Sequence, residues 1–161
     1  MLSDWLVLEL TQFQLYGLVF LLGSFTVATL SDLKYMKAQS EFVEVWVLSL
    51  LVLLAFEIWN LEEDAHYFFA AKWMLILIFI LISNRSFGVL FKLARGDVMA
   101  CAAVMSLLTP ALVLVFIVCL KILDLITRPI LRGFGKGSAY PFMPVVMATT
   151  MVVFGTVLYL V

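Results

Sequence analysis

Apolar residues run along this chain in long blocks, broken at short intervals by a few charged or turn-forming residues. Six blocks can be read from the pattern, at roughly 12–31, 43–60, 67–84, 97–109, 110–128 and 142–160. Within lipid only helices and closed barrels satisfy their own backbone polar groups, and blocks this long read as helices. The pattern therefore predicts an all-α fold, a polytopic integral membrane protein with six transmembrane helices. Composition agrees, because at 65% hydrophobic residues a soluble domain of 161 residues could not cover its surface with polar groups. The expected organisation is one six-span unit over 1–161, with no sizeable soluble domain left over. Met1-Leu2-Ser3-Asp4 lacks the positive n-region of a signal peptide, so the first helix is expected to be retained.

Charge gives the blocks a direction. All the lysines and arginines except Lys72 fall into three clusters: Lys34 and Lys37; Arg85, Lys92 and Arg95; and Lys121, Arg128, Arg132 and Lys136. The alternate loops carry Asp4 and Glu9, then Glu62-Glu63-Asp64. With the N-terminus outside, six spans place every basic cluster inside and both acidic segments outside, as the positive-inside rule requires. Short basic cytoplasmic segments are thus expected near 32–41, 85–96 and 128–141. Trp5, Trp46, Trp59, Trp73 and Tyr140 fit interfacial anchoring. Nucleic-acid binding has no support, since no basic domain exists. Membrane lipid is the surrounding partner.

The fourth block is short. From Asp97 to Thr109 a helix would cover about 20 Å, against a hydrocarbon core of roughly 30 Å. Either it begins earlier, through Phe87 to Leu93, or it starts in a water-filled pocket. Thr109-Pro110 marks the turn to the fifth block, because proline disfavours helix at the residue before it. A single kinked helix over 97–128 would put the last basic cluster outside, and the charges argue against it. Ser86 to Arg95 is expected to lie in the cytoplasmic interface or to extend the next helix. Residues 132–139, with Gly133, Gly135 and Gly137, read as a flexible basic loop.

Candidate chemistry is confined to few residues. Cys101 and Cys119 form no CxxC pair, so a cysteine-pair zinc site is excluded, and both read as buried packing. His66, the single histidine, follows the acidic loop at the opposite side from the aspartates, which argues against histidine-based catalysis or metal binding. Glu57 reads as interfacial. Asp124, with Lys121 at i−3 and Arg128 at i+4, reads as a locally neutralised structural group, with a substrate-positioning role as the alternative. Asp32 and Asp97 stand out, because each lies where an apolar block meets basic residues, in Ser31-Asp32-Leu33-Lys34 and Arg95-Gly96-Asp97-Val98. Ser24, Ala28 and Asp32 share one helix face, and Asp97 shares its face with Ala100 and Cys101. Small residues allow close helix approach, so the two carboxyl groups could meet at the cytoplasmic end. Two adjacent carboxyls share a proton, and such a pair can activate water and polarise a peptide carbonyl without metal or cofactor. Each aspartate could equally be a cap or an interfacial charge.

Three local sequences carry a family resemblance. Ser31-Asp32-Leu33-Lys34-Tyr35-Met36-Lys37 with Phe42-Val43-Glu44-Val45-Trp46 resembles the first-aspartate region of archaeal type IV prepilin and preflagellin peptidases. Arg95-Gly96-Asp97-Val98 resembles that family's GxGD region, and Tyr140-Pro141-Phe142-Met143-Pro144 its C-terminal element. The resemblance implies a membrane aspartic endopeptidase of the cytoplasmic membrane, with Asp32 and Asp97 as its catalytic pair. It would cut leader peptides from pilin-like or archaellin precursors that carry a basic leader and a hydrophobic helix. Gly96 would let the substrate backbone approach, and Glu41 and Glu44 would help receive the leader's charge or merely offset Lys34 and Lys37. Two positions depart from the pattern: Ala94 stands where the first glycine of GxGD is expected, and Met99 where many relatives have lysine. The bacterial members' cysteine cluster is missing, and no cofactor is expected. The alternative is a non-catalytic membrane scaffold or small transporter component on the same fold.

Overall fold

A computed structural model describes residues 10–35, 40–62, 65–84, 91, 93–131, 133 and 140–160. Among the described residues the chain forms six helices: α1 (Gln12–Tyr35), α2 (Ser40–Trp59), α3 (His66–Ser83), α4 (Arg95–Met105), α5 (Pro110–Leu131) and α6 (Met143–Leu160). Four of them, α1, α2, α3 and α5, are long and apolar enough to cross a membrane. Their outward faces carry large apolar side chains, including Phe20, Leu30, Leu51, Leu77, Leu125 and Ile130. An apolar exterior of this extent suits a membrane-embedded protein. Asp4, Glu9, Trp5, Lys37, Glu63, Asp64, Arg85, Lys92, Arg132, Lys136 and most of the loop at 132–139 lie outside the described residues.

The helix limits follow the punctuation of the chain, and the fourth element differs most from expectation. Helix α4 has 11 residues, which at 1.5 Å per residue is about half of a hydrocarbon core. It sits among α1, α2, α3 and α6, while α5 packs on α3 and α6. Its side chains explain its place: Gly96, Ala100, Cys101, Ala102 and Ala103 are small and buried, so four neighbours can close on it. Helix α4 does not begin earlier. Ala94, at its N-cap, is extended with φ −69° and ψ 158°. Leu93 N–H donates to Ser83 O at 3.1 Å. Phe91 and Leu93 are buried rather than interfacial or helical, and 85–90 and 92 lie outside the described residues.

A helix that stops inside the protein must still satisfy its last carbonyl groups. Here nearly every one has a donor. Ser106 N–H reaches Ala102 O at 3.0 Å, Leu107 N–H reaches Val104 O at 3.0 Å, and Leu108 N–H reaches Met105 O at 3.0 Å. The Ser106 hydroxyl donates to Ala103 O at 2.7 Å. Lys72 Nζ, from α3, donates to Ser106 O at 3.0 Å. The turn over 106–109 then leads directly into α5 at Pro110, where a missing N–H costs nothing. No continuous helix joins 97 to 128.

Lys72 is buried, and its ammonium is paired with Glu57 of α2. The second carboxylate oxygen of Glu57 accepts the Trp73 indole N–H at 2.9 Å. Glu57 is therefore an internal ion-pair partner, contrary to the interfacial expectation. Trp46 corrects a similar expectation: it is fully buried, its ring 5.5 Å from that of Phe25, and its Nε1 donates to Ser24 Oγ at 3.0 Å. Trp59, 89% exposed, keeps a position compatible with an anchor.

Candidate active site

Helices α1, α3 and α5 end where α2, α4 and α6 begin, and the candidate groups gather at this end of the bundle. Along α1 the buried positions are Leu18, Leu21, Phe25, Ala28 and Asp32. This alternation of three- and four-residue steps is the stripe of a helix packed along its length. Asp32 ends that stripe, 7% exposed. One of its oxygens, Oδ2, accepts the backbone N–H of Met143 at 3.1 Å. Met143 opens α6, so Asp32 caps a helix other than its own. A carboxylate there is favoured by the unsatisfied N–H groups and by the helix dipole.

Sequence places this donor. Pro141 and Pro144 lack an N–H, so between them only Phe142 and Met143 have one to give. Pro144 falls in the first turn of α6, where its missing N–H is tolerated.

Asp97 occupies the third position of α4 and is half-buried. That is the position from which a carboxylate can turn back toward the N–H of the N-cap residue, here Ala94, which itself offers no side-chain cap. Asp32 and Asp97 lie within electrostatic reach of each other, on helices in direct contact. Each carboxylate also sits at a helix N-terminus, α6 for Asp32 and α4 for Asp97, and the two positive ends offset part of the mutual repulsion. Gly96 is buried in the first turn of α4. Ala94 is exposed with negative φ, a conformation that alanine adopts without strain, so nothing in the backbone there requires glycine. Met99 is half-buried against the core.

Glu41, in the first turn of α2, and Glu44, three residues on, are exposed at the same end of the bundle. Glu44 borders a shallow groove along α2 with Val43, Val47, Leu48 and Leu51. His66 begins α3 at the opposite end, exposed.

A second polar group joins this end of the molecule. Asp124 is 1% exposed; Oδ2 is paired with Arg128 and Oδ1 accepts the Tyr140 hydroxyl. The Arg128 pairing matches the i, i+4 spacing, whereas Lys121 Nζ stands 4.6 Å from the centre of the Phe91 ring. Tyr140 is thus held inward by a hydrogen bond, in place of the interfacial anchoring expected of it. Burial, and then the Asp124 carboxylate, push its phenol up to about 12, so it remains a donor at neutral pH. Beneath it runs a chain of aromatic contacts: Tyr140 to Phe142 at 6.3 Å, Phe142 to Phe91 at 6.3 Å, and Phe91 to Phe79 at 6.2 Å. An aromatic beside prolines signals a turn but not its partner, and Asp124 already had a sufficient partner in Arg128. Comparison with family models, curated proteins and solved structures found no match.

Proposed function

We propose that this chain is a membrane aspartic endopeptidase, with Asp32 and Asp97 as the catalytic pair and a substrate entering from the cytoplasmic end. The observation that carries this reading is the convergence of the two carboxyl groups: they come from separate helices and lie within electrostatic reach at one end of the bundle. In hydrolysis the ionised carboxylate takes a proton from water as its oxygen attacks the peptide carbonyl carbon. The protonated partner gives its proton to the carbonyl oxygen, and the resulting diol collapses with proton transfer to the departing amine. No nucleophilic side chain takes part.

The substrate class comes from the resemblance to prepilin and preflagellin peptidases: a precursor with a basic leader followed by a hydrophobic helix. The orientation rests on the basic clusters, which place the aspartates and the exposed Glu41 and Glu44 on the cytoplasmic side of six spans, with the N-terminus outside. A second reading also has an observation behind it. Asp32 caps α6 through the N–H of Met143, a sufficient structural task for a carboxylate in a non-catalytic scaffold.

Leader cleavage of pilin-like and archaellin precursors in membranes separates the two. The peptidase reading expects cleavage by the wild type and its loss in both Asp32→Asn and Asp97→Asn, with each variant still folded. Cleavage that survives in both variants would refute the catalytic pair; no cleavage of any precursor by folded wild type would favour the scaffold.

A further inference from the structure

The buried group around Asp124 is joined to Asp32 by a short and stiff path. Asp124 accepts the Tyr140 hydroxyl; three residues further on, the N–H of Met143 donates to Asp32. Pro141 fixes φ between the two ends and removes slack. The Phe142 ring is 4% exposed and stacked edge-on to Phe91 and Tyr140, which holds the middle of the path. Arg128 engages the other oxygen of Asp124, and its guanidinium lies 5.7 Å from the centre of the Tyr140 ring.

We propose that Asp124 is a positioning residue for Asp32, acting through Tyr140 and the backbone amide of Met143. The amide sets the direction in which the Asp32 carboxylate faces, and Tyr140 sets the amide. The catalytic consequence rests on the peptidase reading; the mechanical linkage does not.

The linkage is tested with Tyr140→Phe, which removes one hydroxyl, together with Asp124→Asn and the double variant. Amide hydrogen exchange comes first. Exchange at Met143 should quicken about tenfold in Tyr140→Phe, a typical consequence of one lost hydrogen bond, while α2 and α3 keep their protection. Steady-state cleavage follows, where kcat should fall roughly tenfold or more with KM unchanged, as expected of a group moved slightly off its productive position. The double variant should be no slower than the worse single one. Unchanged exchange at the Met143 amide, a change in KM alone, or losses that multiply would each overturn the proposal. If the wild type cleaves nothing, the peptidase reading fails, and exchange still decides the linkage.

Discussion

Lys72 brings a positive charge into an otherwise apolar bundle, and three groups from three elements answer it: Glu57, the Ser106 carbonyl and the face of Trp73 at 5.6 Å. Breaking one side of a buried ion pair costs far more than removing the whole pair. Lys72→Met should therefore lower stability by about 3–5 kcal/mol, because it strands Glu57 and the end of α4. The Glu57→Gln/Lys72→Met double variant should recover a large part of that loss. Unfolding in a denaturing detergent titration measures both, and equal loss in the two variants would contradict the pairing account. This pair was not legible from charge patterning, in which Lys72 was merely the exception to three clusters. Trp46 and Tyr140 were misplaced for a related reason. An aromatic near a helix end reads the same whether lipid or a neighbouring helix covers it, and only packing decides. Asp124 with Arg128 was legible, because i, i+4 spacing is local.

Helix α4 is the element on which the packing depends. Ala102 and Ala103 are fully buried, so in a close-packed interior a larger side chain there must displace its neighbours. Ala103→Leu should cost about 1–3 kcal/mol by overpacking, whereas Ala55→Leu, on the exposed face of α2, should change stability by less than about 0.5 kcal/mol. Equal tolerance at both positions in the same titration would mean that α4 is not enclosed as described. The limits of the helices were largely readable, because charged residues and Pro110 interrupt the apolar blocks where helices stop. The start of α4 was not. Phe91 and Leu93 look like a continuation of the apolar block, yet contacts with Phe79 and Phe142 bury Phe91 outside any helix. The shortness of the block was visible in the sequence; what lets a short helix stop inside the bundle, a lysine from another helix, was not.

Over the whole molecule, alternating helix direction separates two polar regions. Lys72 and Glu57 close off the inner end of α4, while its other end presents Asp97 beside Asp32. The two aspartates could be singled out in the sequence because carboxyls in apolar surroundings are costly. That Asp32 accepts the first N–H of α6, and Asp124 the hydroxyl of Tyr140 just before it, depends on contacts across 111 and 16 residues that no spacing rule reports. The central claim is that Asp32 and Asp97 act as one catalytic unit. Single-turnover leader cleavage by Asp32→Asn, Asp97→Asn and the double variant, reconstituted in lipid, tests it most directly. Each single variant should lose about 10³-fold or more, and the double should be no slower than either, because half of an acid–base pair is as inactive as none. Near-wild-type rates in either single variant, or losses that multiply in the double, would contradict it.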